Sequence, residues 1–342
     1  MSQHKELPIT VAGAGSVGCY VGGLLAAAGR NVTLLTRPQL AKAVREHGLR
    51  VSDLDGRDIT VAPNALSVET EPDRALGPAR IVLVTVKSHD TAEMAALIAA
   101  HAAKDAFVVS LQNGVRNAEV LRHTLGHDRG VDAMVPFNVV QTRSSGGAPR
   151  FHRASGGTIL IERGDGGLRT LLDVPGAPVA EHDDIEAVLW GKLLVNLNNG
   201  LNALSGLPIV EQFGDRRWRG LVARQLDEGI AVLRAAGIRH APYEGVPARV
   251  FALALRLPDA LFRLAAKSIF AIDESARSSM WGDLEAGRRT EIDHLQGEII
   301  RLAETHGVPA PLNRAVLARV KEAERAKNGS PRLPPEDLNG AR

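Results

Sequence analysis

The sequence contains little that would support a disulfide, a metal centre or a strongly charged surface. Cys19 is the single cysteine among 342 residues, so no internal disulfide can form, and a reducing compartment such as the cytoplasm is expected. The eleven histidines are scattered without metal-ligand spacing, so no bound metal is expected. Lys and Arg number 41 against 39 Asp and Glu, and this balance argues against a nucleic-acid partner.

A run of nineteen residues, 11–29, carries no charge. A secretory signal or membrane anchor is therefore one interpretation of this segment. Six glycines within the run and Glu6 just ahead of it make a poor lipid-facing helix. A buried strand, turn and helix accounts for all of these residues, so the sequence favours that interpretation and no membrane partner.

The beginning of this run predicts a dinucleotide-binding turn. Apolar residues 9–12 are typical of a buried strand, the spacing Gly13-x-Gly15-x-x-Gly18 follows, and an alanine-rich helix is predicted for 19–28. Gly13 would allow the tight turn, Gly15 the approach of a pyrophosphate, and Gly18 close packing of helix on strand. Main-chain N–H groups at the helix start would bind the phosphates. The predicted cofactor contacts of this turn are Gly13, Ala14, Gly15, Ser16, Val17 and Gly18.

Arg37 indicates which dinucleotide binds. It follows a second predicted strand, 31–36, and stands nineteen residues after Gly18, where an NAD enzyme usually has Asp or Glu for the ribose 2′-hydroxyl. A guanidinium can instead form charge-assisted, forked hydrogen bonds with a 2′-phosphate. We therefore predict NADPH/NADP+ as the cofactor, with a solvated surface arginine as the alternative.

Strands and helices alternate through the first half of the chain. Residues 80–87 form a nearly continuous β-branched run, typical of a central parallel strand. The other predicted elements are a helix at 91–103, a strand at 106–112, and hairpins at 49–62 and 151–162. The pattern predicts an α/β fold, a doubly wound sheet with antiparallel additions, in a domain that covers 1–181.

The second half predicts helices only. A long helix is expected from Asp183 or Asp184 to about Leu204. Further helices are predicted at 216–236, 248–270, 276–286 and 291–305. This all-helical domain covers 182–326, and three prolines within 327–342 predict a flexible tail.

Polar side chains interrupt the apolar face of the first of these helices. Lys192, Asn196 and Asn199 stand at positions i, i+4 and i+7, which share one helix face. Buried polar groups need partners, and a ligand in a cleft could supply them. Alternatively, the lysine reaches solvent along its aliphatic chain and the asparagines bond to nearby backbone.

Ser279 and Glu291 form a second pair if the helix that contains them is broken. In one unbroken helix they would lie about 18 Å apart. Gly287 suits a helix C-cap, and Thr290-x-x-Asp293 resembles a capping box, so a break would let both side chains face one site. A plain helix-turn-helix with ordinary caps is the alternative.

Two further polar residues end neighbouring strands. Lys87 ends the strand at 80–87, and Asn113 follows the strand at 106–112. In folds of this kind, the carboxyl ends of parallel strands border the cofactor crevice, where the substrate is also expected. A surface cation and an ordinary Asn-Gly turn are the respective alternatives.

Together these residues resemble a known family. The segments that carry the resemblance, in order and spacing, are 13–18, Arg37, 84–87, 112–114, 190–196, 279–280 and 290–291. They are similar to the ketopantoate reductase (2-dehydropantoate 2-reductase) family over roughly residues 7–320. The resemblance implies a Rossmann-type domain, a helical domain like the C-terminal one of 6-phosphogluconate dehydrogenase, and NADPH-dependent reduction of a small-molecule 2-oxo acid.

The resemblance also implies individual roles. Lys192 is similar to the family's proton donor, which would stabilise and protonate the carbonyl oxygen as hydride reaches the carbon. It must stay charged for this; burial lowers the pKa of a lysine and a neighbouring Glu291 raises it. The resemblance implies Asn113, Asn196 and Ser279 as substrate ligands, and Asn113, Lys87 and Glu291 as contacts on the cofactor side.

Two departures from the family pattern concern the substrate. Members that make pantoate typically carry a second Asn where this chain has Gly200, with Asn199 one place earlier. Recognition of the distal hydroxyl of ketopantoate is therefore expected to differ from that in those members. The long apolar segment 245–273 is interpreted as core, with a lid or a subunit contact as alternatives. A homodimer is one possible form of the protein.

Three functions remain compatible with the sequence. The first is reduction of ketopantoate to pantoate in pantothenate and coenzyme A biosynthesis, and the second is NADPH-dependent reduction of another branched or bulky 2-oxo acid. The third, a non-catalytic NADP(H)-sensing regulator, is disfavoured because such proteins commonly lose the proton donor. A β-hydroxyacid dehydrogenase shares Lys-x3-Asn, but the segments 112–114 and 279–291 point away from it.

Overall fold

A computed structural model describes residues 7–143, 147–164, 167–269 and 276–339. Within it the chain divides into two compact units, unit 1 up to Ile185 and unit 2 from Glu186. The sequence predicts the boundary slightly earlier, after residue 181. Among the described residues, no helix combines the length and apolar character that crossing a membrane requires.

Unit 1 combines strands with helices. Its strands are β1 (Ile9–Ala12), β2 (Val32–Leu35), β3 (Leu49–Asp53), β4 (Asp58–Val61), β5 (Ser67–Glu69), β6 (Ile81–Val84), β7 (Phe107–Ser110), β8 (Gly130–Met134), β9 (Val139–Arg143), β10 (Pro149–Arg153), β11 (Ile159–Glu162) and β12 (Val179–His182). Its helices are α1 (Ser16–Ala27), α2 (Pro38–His47), α3 (Pro72–Leu76), α4 (Thr91–His101), α5 (Asn117–Leu125) and α6 (Leu168–Leu172).

The main sheet has the strand order β12-β11-β8-β7-β6-β1-β2-β5. From β5 to β8 all neighbouring strands are parallel, whereas β11 runs antiparallel to β8. The chain reverses its direction of winding between β1 and β6, which is the arrangement of a Rossmann-type sheet. The predicted fold class is therefore confirmed.

A second, four-stranded sheet, β4-β3-β10-β9, packs against α1. Gly23 of α1 permits this packing, since a Cβ there would lie 2.6 Å from a Leu49 methyl group. The predicted hairpin at 49–62 is confirmed as β3–β4. The hairpin predicted at 151–162 is wrong: β10 pairs with β3 and β9, and β11 pairs with β8 and β12, because the apolar residues of the two strands are buried in different sheets.

Unit 2 is helical in its described part. Its helices are α7 (Ile185–Asn196), α8 (Asn198–Ser205), α9 (Ile209–Gly214), α10 (Arg216–Ala235), α11 (Ala248–Leu255), α12 (Asp259–Ile269), α13 (Ser279–Glu285), α14 (Gln296–His306), α15 (Pro311–Ala326) and α16 (Glu336–Asn339). The helices α9, α15 and α16 were not among those predicted from the sequence. The predicted helix at 183–204 is divided at Leu197, and α13 begins three residues later than expected.

The helix predicted at 248–270 is also divided, between α11 and α12. Pro258 cannot continue a helix, and the buried Arg219 binds the carbonyl oxygens that the break exposes, those of Leu255 at 3.1 Å and Leu257 at 3.2 Å. The end of the predicted helix, Phe270, lies outside the described residues. The interpretation of this segment as core is correct only for some side chains. Leu255 and Phe262 are buried, while Val250, Leu253, Leu261 and Leu264 are more than half exposed.

The flexible tail predicted for 327–342 is wrong over its described part, 327–339. Leu338 is 1% exposed. The Ser330 hydroxyl donates to the Ala203 carbonyl at 2.7 Å, and the Leu333 N–H donates to the Leu204 carbonyl at 2.8 Å. The three prolines do not prevent this segment from packing on unit 2, because buried apolar area and main-chain hydrogen bonds hold it there.

Candidate functional site

The glycine turn of unit 1 has the geometry that its sequence predicts. Gly13 has φ +80°, and a Cβ there would lie 2.1 Å from a Val86 methyl carbon. A Cβ at Gly18 would lie 2.4 Å from the Thr85 hydroxyl. At Gly15 the nearest atom would be 3.9 Å away. The first and third glycines therefore allow close packing, and the second leaves open space at the start of α1.

Main-chain N–H groups at this turn divide into two sets. Gly13 and Ala14 donate to the Leu35 carbonyl at 3.1 and 2.8 Å, and Gly15 donates to Gly13. The first N–H that bonds along the helix is that of Cys19, to Gly15 at 2.9 Å, and no side chain caps the helix start. The N–H groups of residues 16–18 precede that first bond, so they are the ones suited to a phosphate.

Arg37 lies at the start of α2, and its side chain is exposed. The preceding Thr36 donates its hydroxyl to the Ala14 carbonyl at 2.9 Å. The end of β2 is thus tied to the glycine turn. An arginine at this position can reach an anionic group beside the turn.

Lys87 and Asn113 occupy equivalent positions beyond two neighbouring parallel strands. Val84 of β6 is in register with Ser110 of β7, and each polar residue follows its strand by three positions. Both side chains are half-buried. The structure therefore brings these two predicted site residues to the same edge of the sheet.

A buried hydrogen-bond network behind these two residues was not anticipated from the sequence. The Ser88 hydroxyl donates to the Asn113 carbonyl at 2.7 Å, and the Asn117 amide donates to the same oxygen at 2.5 Å. Gln112 donates to the Val86 carbonyl at 2.9 Å. Polar residues soon after strand ends were the available signal, but a lone sequence cannot show that they face one another.

In unit 2, Lys192 is buried on α7. Burial lowers the pKa of its amine from 10.5 to about 8, and the negative charge of Glu291 opposes that shift. The amine thus remains largely protonated at neutral pH and is able to release its proton near that pH. This is the balance that general acid catalysis requires.

Asn196 and Asn199 are half-buried on either side of the break at Leu197. The Leu197 carbonyl accepts a hydrogen bond of 2.7 Å from the fully buried Gln296 at the start of α14. This bond satisfies the carbonyl at the break and holds α14 against it. Glu291 precedes α14 in the chain, and its negative charge acts on Lys192. Gln296 was not predicted as a site residue.

Gly200 is a packing position. A Cβ there would lie 2.7 Å from a Val316 methyl carbon and 3.0 Å from the Gln296 amide nitrogen. An asparagine side chain would not fit in this arrangement.

Ser279 is exposed at the first residue of α13, whereas Ser278 is buried. The Ser278 hydroxyl caps the helix by accepting from the Trp281 N–H at 3.2 Å, and it donates to the Asn199 carbonyl at 3.1 Å. This contact joins α13 to α8. Ser279 is thereby placed close to the helix that carries Asn199.

The predicted break in the helix between Ser279 and Glu291 is confirmed. The capping box predicted for Thr290 and Asp293 is wrong. Gly287 has φ +62° and ends α13. The Thr290 N–H donates to Glu324 at 2.7 Å, and Asp293 accepts from Lys321 and Arg289. The acceptor for the Thr290 N–H is therefore supplied by α15, a helix that the sequence analysis did not predict.

An open cleft of about 1160 Å³ lies between α5, β8 and β11 of unit 1, and none of the predicted site residues lines it. Its Arg122 is already bonded to Asp132 at 3.1 Å and to Glu162 at 2.5 Å. Within the described ranges, no group of three or more histidine, cysteine or acidic side chains is placed to hold a metal ion.

Comparisons with known proteins cover nearly the whole chain. A family model described as ketopantoate reductase PanE/ApbA matches residues 9–166, and the model of the C-terminal part of the same family matches 184–324. A 2-dehydropantoate 2-reductase of Halobacterium salinarum is 30% identical over 93% of this chain and 99% of its own length.

Solved structures agree with this result. A PanE/ApbA family ketopantoate reductase from Ralstonia eutropha JMP134 has a TM-score of 0.77 and 32% identity, over 94% of this chain and 99% of its own. A D-mandelate dehydrogenase in complex with NADH and anilino(oxo)acetate has a TM-score of 0.76 at 20% identity, over 94% of this chain and all of its own, and so shares the fold. On these grounds, and with the glycine turn and the buried lysine described above, the chain belongs to the ketopantoate reductase family of NAD(P)H-dependent oxidoreductases.

Proposed function

We propose that this chain reduces ketopantoate to pantoate with NADPH, with Lys192 as the proton donor, in the pantothenate and coenzyme A pathway. The observation that carries the proposal is the burial of Lys192 on α7, where the negative charge of Glu291 opposes the lowering of its pKa by burial. We expect the reaction to take place in the cytoplasm, where a buried thiol such as Cys19 stays reduced.

The residues of unit 1 fit a dinucleotide. Open space above Gly15 and the N–H groups of residues 16–18 suit a pyrophosphate. Arg37 suits a 2′-phosphate, which is the reason for proposing NADPH over NADH. Lys87 and Asn113 lie at the sheet edge where such a cofactor binds in this fold. When bound, the reduced nicotinamide would supply the hydride.

Lys192 acts on the oxygen of the substrate carbonyl. As a C–H bond forms at the carbonyl carbon, the electron pair of the π bond moves to oxygen, and the ammonium group stabilises that charge. Its Nζ then gives a proton to this oxygen, so that a 2-oxo acid becomes a 2-hydroxy acid. The neutral amine recovers a proton from solvent. Asn113, Asn196 and Ser279 are proposed to bind the substrate, and Glu291 keeps the lysine charged.

A second candidate, reduction of a different branched or bulky 2-oxo acid, is favoured by one observation. Gly200 has no room for the asparagine that pantoate-forming members typically carry, because Val316 and Gln296 fill that space. Asn199, which precedes Gly200, is half-buried. Its side-chain amide would approach a substrate from a different position. The two candidates share cofactor and proton donor, and differ in the group at the far end of the substrate.

Steady-state assays distinguish these functions. Loss of NADPH absorbance is followed with ketopantoate and with a panel of branched and aromatic 2-oxo acids, and repeated with NADH. The proposal expects the highest kcat/KM for ketopantoate with NADPH. A higher value for another acid would support the second candidate. Tight cofactor binding without turnover of any acid would instead indicate a non-catalytic sensor.

Replacing the proton donor tests the mechanism. We expect Lys192→Ala to lower kcat by about 10²-fold or more while the Kd of NADPH, measured by cofactor titration, changes little. Equal losses in kcat and in cofactor affinity would contradict the role of Lys192.

A homodimer is a further prediction for this chain, which sedimentation analysis would test.

A further inference from the structure

Asn117 stands at the first residue of α5 and is buried, with 7% of its surface exposed. Its amide nitrogen donates to the Asn113 carbonyl at 2.5 Å and to the Ser88 hydroxyl at 3.2 Å. Its oxygen accepts from the Thr91 hydroxyl at 2.9 Å. One side chain thus bonds to the loop after β6, to the loop after β7 and to the start of α4.

The partners of Asn117 are themselves fixed. Ser88 donates to the Asn113 carbonyl at 2.7 Å. Gln112 donates to Thr91 at 2.8 Å and to the Val86 carbonyl at 2.9 Å. Ser88, Thr91 and Gln112 are each at most 5% exposed. A network of buried hydrogen bonds has few alternative arrangements, so it sets the spacing of the groups that it joins.

We propose that Asn117 is a positioning residue, which holds the loop that carries Lys87 at a fixed distance from the loop that carries Asn113. The inference rests on the proposed function, in which these two residues contact the cofactor and substrate. The side chain of Asn117 bonds to Asn113, Ser88 and Thr91, so we infer that it acts through these neighbours. Without its amide, the Asn113 carbonyl loses the hydrogen bond from Asn117, and the two loops lose a direct link.

The test exchanges the amide of Asn117 for an acid of the same shape. In Asn117→Asp the charged carboxylate would face the Asn113 carbonyl, and repulsion between the two acceptors would separate the loops. When protonated, the acid can donate to that carbonyl and restore the contact. Burial favours the neutral acid, so the restoration should occur as the pH falls towards 5.5.

The measured quantity is the Kd of NADPH for Asn117→Asp divided by that of the unmodified chain, from pH 8 to pH 5.5. We expect a ratio of about tenfold at pH 8, the size of effect typical for a lost buried hydrogen bond, falling towards one at pH 5.5. The two proteins carry the same other ionisable groups on these elements, Lys87, His89, Asp90, Arg116 and Glu119, so the ratio isolates the effect of the substituted side chain. Asn64→Asp, an equal charge change at an exposed position of unit 1, should give a ratio near one throughout.

The outcomes separate this inference from the proposed function. Failure of the unmodified chain to bind NADPH would overturn both. If the unmodified chain binds NADPH and turns over normally, but the ratio of the two Kd values does not vary with pH, the positioning role alone is overturned. The same conclusion holds if Asn117→Asp is less stable to heat and shows no such variation. If Asn117→Asp does not fold, Ser88→Ala provides the second measurement: weaker NADPH binding, with recovery in Ser88→Thr, supports the inference, and unchanged binding overturns it.

Discussion

Lys192 shows how two opposing effects set the chemistry of a single residue. Burial on α7 removes the amine from water and lowers its pKa, and Glu291 raises it again by favouring the charged form. Burial is the larger effect, so the pKa is about 8 rather than 10.5. The lysine is consequently charged at neutral pH and loses its proton as the pH rises through 8.

The first prediction concerns this balance. In Glu291→Gln the charge that raises the pKa of Lys192 is absent, so that pKa should fall below about 8. Because the proton donor must be charged, the high-pH limb of the kcat profile should move to lower pH. Steady-state rates from pH 6 to 10 measure the shift.

A matched control lies on the same helix as the lysine. Glu186 is exposed in the first turn of α7, and Glu186→Gln changes the charge of the chain equally. It should leave the pH profile of kcat unchanged. A profile of Glu291→Gln that coincides with that of the control would show that Glu291 has no influence on the proton donor.

At the level of elements, a long-range hydrogen bond accompanies the division between α7 and α8. The sequence shows the positions of Lys192, Asn196 and Asn199, but it predicts a continuous helix. Gln296 from α14, almost one hundred residues away in the chain, satisfies the Leu197 carbonyl at the break. A partner so distant in sequence is invisible to patterns of local spacing.

The second prediction concerns Gly200, at the start of α8. Gly200→Asn would place a side chain against Val316 and Gln296, so it should lower the free energy of unfolding by about 1–3 kcal/mol, the usual cost of overpacking. It should not raise kcat/KM for ketopantoate. Chemical denaturation and steady-state assays measure the two effects.

Gly220 offers the control for this substitution. It lies within helix α10, and a Cβ there would meet no atom within 4 Å. Gly220→Asn should therefore leave the free energy of unfolding nearly unchanged. Improved turnover of ketopantoate by Gly200→Asn, without loss of stability, would show that the pocket adapts and that the glycine is not a packing position.

The sequence predicted some elements well for a physical reason. The strand and α1 follow from the apolar pattern, and the glycine turn follows from a local steric requirement, since φ +80° at Gly13 favours glycine whatever the rest of the chain does. The hairpin predicted at 151–162 was wrong because pairing between strands depends on distant partners. The helix break at Pro258 was missed although proline was visible, because the apolar pattern continues on both sides.

On the scale of the molecule, the C-terminal segment is part of unit 2. Besides the buried Leu338, Glu336 forms an ion pair with Arg217 at the start of α10. The exposed ion pair contributes little to stability. Burial of Leu338 is thus the stronger reason for this segment to stay on the helices.

The third prediction follows from this packing. Leu338→Ala should lower the free energy of unfolding by at least about 2 kcal/mol, as is usual when a buried leucine is truncated. Leu253→Ala removes the same atoms from a side chain that is 65% exposed, and should have an effect within about 0.5 kcal/mol. Denaturant titrations compare the two. Equal stability of both variants would mean that the tail is not held as the structure indicates.

The sequence by itself determined the fold class and the glycine turn, because these depend on local sterics, periodicity and residue type, and it contains the polar residues to which we assign the proposed chemistry. The tertiary structure alone decided the network around Asn117, the contact between Gln296 and the break in the first helix of unit 2, the packing at Gly200 and the docking of the tail. Each of these joins residues that are distant along the chain, and the free energy that selects them arises only when separate elements pack together.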